Sequence, residues 1–351
     1  MKMKPSLKSL KRKQKPESTT RITNDTVAEH REKILAGGRR YKYPIQYARH
    51  RLVFNAIIIT VAAVIVLSLL LWWQLYIVQN TSTYVYRITQ VLPLPIASID
   101  GSSVRYSDYL LYQRPSAYYL EKFGDDKNTT KSGNSELNYV KRAALDRAIV
   151  ITYARKVAQD KNLVVSESDI EKAFNDLRSA SNGTLSEEAI TTSAERNFGF
   201  TKGDIYQQYR NSLTVSKAAF AVDDTARIQK NEVQRVINEK KTTDLSAIAK
   251  QFNDKKKDSV IYGMSGLVNL SNISSGIRAA DVAKLEKGVI SAPIQSITDD
   301  GYFFIKLVEK NDTQVSYEFI QVPLHVLNDQ VATLKKQNKV HEYISIDTTT
   351  Q

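Results

Sequence analysis

The side chains that usually carry proton-transfer, metal or nucleophile chemistry are scarce in this chain. Its 351 residues include no cysteine and four histidines, His30 and His50 near the start and His325 and His341 near the end. No two of them stand at metal-ligand spacing, so a zinc-type site has no basis in the sequence. Without thiols there is no thiolate nucleophile and no disulfide. An exported domain of this composition is held by its core alone, or sits where disulfides are not routinely made. A Ser-His-Asp relay would have to use His325 or His341, and each reads better as a surface or packing residue. Asn80, Asn128, Asn182 and Asn272 begin Asn-x-Ser/Thr triplets, which matter only in a glycosylating host. What remains for function is apolar and aromatic surface.

The elements that would position such a surface begin with a run lacking any charge, from Leu52 to Tyr86. Its first part, Leu52 to Ile77, reads LVFNAIIITVAAVIVLSLLLWWQLYI. About 20 apolar residues suffice for a helix to cross a bilayer core. Trp72, Trp73 and Tyr76 cluster at its far end, where amphipathic rings favour the headgroup layer. Residues 1–51 carry 15 Lys and Arg against 4 Asp and Glu, a balance of +11 out of +13 for the whole chain. Lys and Arg next to a span stay on the cytoplasmic side. The sequence therefore predicts a basic, disordered cytoplasmic tail (1–51), an uncleaved transmembrane signal anchor (52–78) and an extracytoplasmic remainder. A cleaved signal peptide fits poorly, because the leader and the apolar run are too long. The basic excess has an orientation duty, so specific nucleic-acid binding is not expected. The segment Lys8 to Lys15 could also hold anionic lipid.

The exported part opens on a Thr-, Ser- and Tyr-rich stretch, read as a linker over 79–94. Ile96 to Ile99 reads as a short strand and Asp100-Gly101 as a tight turn. Ser107 is a candidate N-cap, and Pro115 should bend or interrupt the helix that follows. A polar low-complexity stretch runs from Gly124 to Ser135. Leu137, Val140, Ala144, Leu145, Ala148 and Ile151 then recur at helical spacing. Ser166 with Asp169, Ser186, and Thr201 with Asp204 mark three helix starts. The tyrosines Tyr106, Tyr109, Tyr112, Tyr118 and Tyr119 could present aromatic surface, although at this spacing they read more simply as interhelix packing.

This order of signals resembles the N-terminal helical domain of SurA/PrsA-type folding factors. The residues that carry the likeness are IASIDGSSVRYSDYL, LDRAI, ARKVAQDKNL, VSESDIEKAF, LSEEAI and YQQYRNSL, between Pro95 and Ala221. The resemblance implies an exported chaperone that cradles unfolded chains.

After Asn231 the pattern changes to helix, strand, helix, strand, strand. Here DLSAIAKQF, GMSGL, LEKGVISAPI and DDGYFFIKLVEK resemble a parvulin-type peptidyl-prolyl isomerase domain, which rotates X-Pro bonds by binding the twisted amide better than either planar form. That family uses an apolar proline pocket and a polar network of histidines with an Asp or Cys. In this chain the last-strand histidine falls on Phe303 and the Asp/Cys position on Met264 or Ser265. The pocket Met and Phe fall near Ser274 and Ile277 or Arg278. The family's first strand has no counterpart between Val222 and Lys230. A similar string, VSYEFIQV (Val315 to Val322), follows the domain instead and puts Phe319 at the other histidine position. This late strand either completes the sheet or is the stub of a second repeat.

The sequence thus predicts an α+β protein: one transmembrane helix, a SurA-N-like helical domain (95–225), a parvulin-like domain (226–310), and a C-terminal strand-helix-strand (311–351) returning to the helical domain. The resemblance implies a membrane-anchored folding factor whose catalytic histidines are lost; the residues at the matching positions, Met264, Ser265, Phe303 and Phe319, read either as ordinary core or as an apolar cleft between the two domains. Its partners would be unfolded or newly exported polypeptides, and no cofactor is expected. Two alternatives stay open: an active isomerase using Ser265 or Tyr302 instead of histidine, and a non-catalytic cell-envelope scaffold.

Overall fold

The computed structural model describes residues 23–42, 44–123, 131–179, 185–254 and 260–346. Two compact units divide between Trp72 and Trp73. The first holds α1 (Asn24–Lys42) and α2 (Pro44–Trp72). The expectation of a disordered tail fails over α1. Ala, Glu, Lys, Arg and Leu favour helix, and Glu29 pairs with Lys33 one turn on, at 3.2 Å. Lys8 to Lys15 lies outside the described residues. Residues Arg51–Ile77 form one helical stretch of 27 residues, long and apolar enough to cross a membrane.

The second unit begins with a single π-helical turn, Trp73–Ile77, followed by α3 (Thr83–Val91). The stretch read as a linker is therefore folded. Ser82 caps α3 by accepting the Val85 N–H, and Val85, Tyr86 and Thr89 are buried. Next come β1 (Pro95–Ile99), β2 (Ser102–Arg105), α4 (Tyr106–Phe123), α5 (Lys131–Asp160), α6 (Glu167–Ser179), α7 (Glu187–Phe198) and α8 (Lys202–Val222). Two capping boxes form as read, Ser166 with Asp169 and Thr201 with Asp204, whereas Ser107, read as an N-cap, falls inside α4, which already starts at Tyr106. Pro115, expected to bend or interrupt its helix, does not interrupt it and lies inside α4. Proline cannot donate to the carbonyl four residues earlier, which here is Leu111. Gln208 Nε2 from α8 donates to that carbonyl instead, at 3.2 Å.

The chain continues through α9 (Asp224–Lys240), α10 (Leu245–Asn253), β3 (Ile261–Met264), β4 (Val268–Asn269), β5 (Ile273–Ser274), β6 (Ile277–Arg278) and α11 (Ala279–Val282). It ends with β7 (Ile294–Gln295), β8 (Tyr302–Lys310), β9 (Gln314–Val322), α12 (Val326–Lys336) and β10 (Val340–Glu342). The main sheet is antiparallel in the order β3-β9-β8-β7, with β4 also on β9. The late strand β9 thus completes this sheet between β8 and β3, and a boundary at 310 would cut the β8–β9 hairpin. Beyond it, β10 pairs with β1 (Ser98 opposite His341), so the C-terminus returns to the helical layer.

One face of the sheet, with Phe304, Ile320 and Val322, shares a core with Ile151, Val215, Ala218, Val233 and Ile248 of the helices. Burying each such large side chain contributes about 1.5–3 kcal/mol. The helical and sheet layers therefore fold as one body. Ser216 Oγ, which donates to Thr298 O at 2.9 Å, and the Arg278–Asp176 ion pair reinforce the joint. The architecture is α+β, with helices segregated from an antiparallel sheet.

Candidate functional site: an apolar cavity in the helical layer

The four residues read from the sequence as cleft positions do not form a cleft. Side chains alternate between the faces of a strand. Gly263 and Ile305 lie opposite Phe319, while Met264 and Lys306 lie opposite Glu318. Phe303 and Phe319 therefore share one face, with ring centroids 5.7 Å apart. Met264 projects from the other and is 62 % exposed, beside the Lys306–Glu318 ion pair at 2.8 Å. Ser265 is tied to the sheet: its Oγ accepts the Tyr317 N–H at 2.9 Å and donates to Gly266 O at 2.7 Å.

Phe303 is 2 % exposed. It packs with Ile305, Leu307 and Tyr317 beneath Ile277, Ala279 and Val282, and Phe319 lies against the same cluster. The face where the resemblance puts a polar network is closed apolar core. Gly263 belongs to this packing, since a Cβ there would come within 2.5 Å of the Phe319 ring.

An open apolar cavity lies elsewhere, among α4, α5, α7 and α8. It measures about 670 Å³ and is walled by Pro115, Ile190, Ala194, Phe198, Phe200 and Ile205, with Tyr112, Arg147, Gln208 and Tyr209 as polar points. The walls are set by the local signals already described. Pro115 reaches the cavity because α4 continues through it, and the Gln208 amide is committed to the carbonyl that Pro115 frees. The Arg147 guanidinium stands over the Tyr112 ring at 6.0 Å. Burial pushes the Tyr209 phenol up to about 12, with Asp176 adding to the rise. Burial also raises Tyr112, against opposing contributions from Asn211 and Arg147. Both phenols are protonated at neutral pH and can donate hydrogen bonds. The cavity can therefore bind bulky apolar side chains, with donors available for a neighbouring carbonyl.

Helix α7 forms the most lightly held wall: none of its residues is fully buried. Its first turn is held by the exposed Glu187–Lys202 ion pair at 2.6 Å, and at its far end Phe198 packs edge-on against Tyr118 at 5.3 Å and Asn197 Oδ1 accepts the Tyr118 hydroxyl at 3.0 Å. An element with so little buried surface opens at the lowest cost. Gly199 ends it in the left-handed conformation, φ 63°. A Cβ there would meet Thr83 Oγ1 of α3 at 2.7 Å.

Beneath this corner lies the most heavily hydrogen-bonded carboxylate of the helical layer. Asp204 accepts from Tyr86 Oη (2.7 Å), Arg87 Nη1 (2.8 Å), Gln90 Nε2 (2.5 Å) and Thr201 N (2.7 Å). Burial by itself raises its pKa, but these donors outweigh it and the carboxyl is held below its ordinary value. The Tyr86 ring in turn packs on Phe200 of the cavity wall at 5.6 Å.

The sequence reading missed the cavity. Its signal was present: Ile190, Ala194 and Phe198 recur every four residues on α7 and mark an apolar face. Of the five tyrosines read from the sequence on α4, Tyr106 and Tyr109 are buried, and Tyr112 alone among those five lines the cavity. No protein-family model, curated protein or solved structure matches the chain.

Proposed function

We propose that this protein is a membrane-anchored, extracytoplasmic folding factor of the SurA/PrsA type that holds apolar segments of unfolded polypeptides. The observation that carries this reading is the open apolar cavity between α4, α7 and α8, which has room for a large side chain and a lightly held wall. Two further features support it. The string VSYEFIQV, which resembles the first strand of a parvulin-type domain, pairs as β9 between β8 and β3, a place in the sheet compatible with that resemblance. The basic excess before the apolar stretch favours a cytoplasmic N-terminus.

On this reading the sheet is a scaffold and performs no catalysis. A rotamase site needs polar groups that follow the amide as it twists, and Phe303 and Phe319 offer none. The reconstituted full chain is therefore expected to leave a proline-containing peptide at its spontaneous rate, tens to hundreds of seconds at 25 °C. Catalysis well above that background would show a working isomerase.

The holding function is tested with the full chain in nanodiscs and a chemically unfolded client whose aggregation is followed by light scattering. Wild type should delay aggregation. Ala194→Trp fills the cavity from α7, where the side chain is not part of the buried core, and should weaken holding by about tenfold, the equivalent of about 1.4 kcal/mol, while circular dichroism stays unchanged. If wild type gives no delay, or a folded Ala194→Trp variant holds as well as wild type, the reading is wrong.

A further inference from the structure

Helix α3 has two apolar faces, and only one packs on the protein. Val85, Tyr86 and Thr89 are buried. On the opposite side Tyr84, Ile88 and Val91, spaced i, i+4 and i+7, are 85 %, 41 % and 80 % exposed. Leu92, 45 % exposed, extends the stripe, and the charge that flanks it, Arg87, turns its guanidinium to Asp204 and to Gly199 O. A helix that is apolar on both sides needs an apolar medium on the outer one as well.

The chain itself indicates that medium. The apolar stretch ends at Ile77 and α3 starts at Thr83, so even an extended connection would reach only about 20 Å. The connection is not extended. Asn80 N–H donates to Gln74 O at 2.9 Å, and Asn80 Nδ2 donates to Gln74 Oε1 at 2.9 Å. Leu75 is fully buried, and its carbonyl accepts the Tyr106 hydroxyl at 2.7 Å. Tyr76 Oη donates to Pro95 O at 2.5 Å. Gln79 Nε2 holds Ser345 O at 2.8 Å. The last turn of the apolar stretch is thus built into the same body as α3, with no free linker between them.

We infer that α3 is a membrane-surface helix, with Tyr84, Ile88, Val91 and Leu92 seated at the boundary between headgroups and acyl chains of the bilayer that Arg51–Ile77 crosses. The inference rests on the reading of that stretch as a span. Permanent tethering supplies a high effective concentration of lipid, and a tyrosine on the stripe suits the headgroup layer. The buried face of α3 is pinned through Tyr86 and Arg87 to Asp204 beside the cavity. Seating α3 therefore fixes the cavity close to the membrane, where newly exported chains emerge.

The chain has no cysteine, so single replacements give unique spin-label sites in the full-length protein. Tyr84→Cys, Ile88→Cys and Val91→Cys test the stripe. Val64→Cys reports on the middle of the apolar stretch, and Lys172→Cys, on the exposed side of α6, is the aqueous reference. In nanodiscs of phosphatidylcholine with phosphatidylglycerol, collision of each label with oxygen is compared with collision with a water-soluble nickel chelate. The oxygen-to-nickel ratio at 84, 88 and 91 should exceed that at 172 several-fold and stay below that at 64. A lipid-like ratio at 64 with water-like ratios on α3 overturns this inference alone. Shielding of the α3 labels from both reagents means a protein occupant, a second copy or a client, and also overturns it. A water-like ratio at 64 removes the span and the inference together.

Discussion

Gly301→Ala is expected to disrupt the main sheet and, with it, the core that joins sheet to helices. Gly301 stands at φ 126°, a region closed to side-chain-bearing residues. An added Cβ would lie 2.0 Å from the carbonyl oxygen of Val322 and 3.0 Å from Pro323 Cα. The obstacle is backbone at the end of the central strand, so no rotamer change relieves it. The turn must open, and it is held by Ser296 N–H donating to Gly301 O at 3.0 Å. Opening separates β8 from β9 where Tyr302 faces Val322, beside Phe303 and Phe304 of the two cores. The cost should exceed about 4 kcal/mol, against a total stability of about 5–15 kcal/mol for a typical domain. Gly288→Ala is the comparison. Its φ is 78° with open space around the Cβ position, so it adds strain of only about 1–3 kcal/mol. Urea unfolding of both variants checks this. Equal midpoints would show that the Val322 contact does not decide the fold.

Local signals were legible in the sequence wherever a short segment satisfies its own groups. The Ser166/Asp169 and Thr201/Asp204 boxes and the Ser186 cap needed no distant partner. The features that escaped depend on residues far away in the chain. Pro115 sits within a helix because Gln208 replaces the lost donor. The Thr- and Tyr-rich stretch after the apolar run looked like a linker because its helix is pinned by Asp204, 118 positions beyond Tyr86. The cleft expected between two domains is occupied by shared core, because Phe304 and Ile320 face the helices. The cavity escaped for a related reason. An apolar face on α7 can be read from spacing, but whether a neighbour fills it is decided by α4 and α8. Met264 is a subtler case. Matching motifs gave it a place in the strand, and strand alternation then assigns it the face away from Phe319.

The remaining prediction concerns the junction between α3 and the cavity. Asp204→Asn keeps the shape but removes the charge and turns one acceptor into a donor. The Arg87 guanidinium loses its carboxylate, and the new amide faces the donors Tyr86, Gln90 and Thr201. Breaking one half of a buried pair costs about 3–5 kcal/mol. Arg87 is a third exposed and can turn to water, so about 3 kcal/mol is expected here. The dependence on pH separates this from a plain packing defect. The folded carboxyl is held below its ordinary value, so its stabilisation is fully present above the unfolded pKa, about 3.9, and fades as pH falls through the lower folded value. The gap between wild type and Asp204→Asn should therefore be widest at neutral pH and narrow below about pH 4. Asp169, lowered to about 2 chiefly by Lys217, titrates in the same direction in both proteins and cancels in the difference. Urea midpoints at neutral and acid pH read that gap. A gap that stays constant would assign the loss to shape alone and leave the carboxylate no role in holding α3 against the cavity.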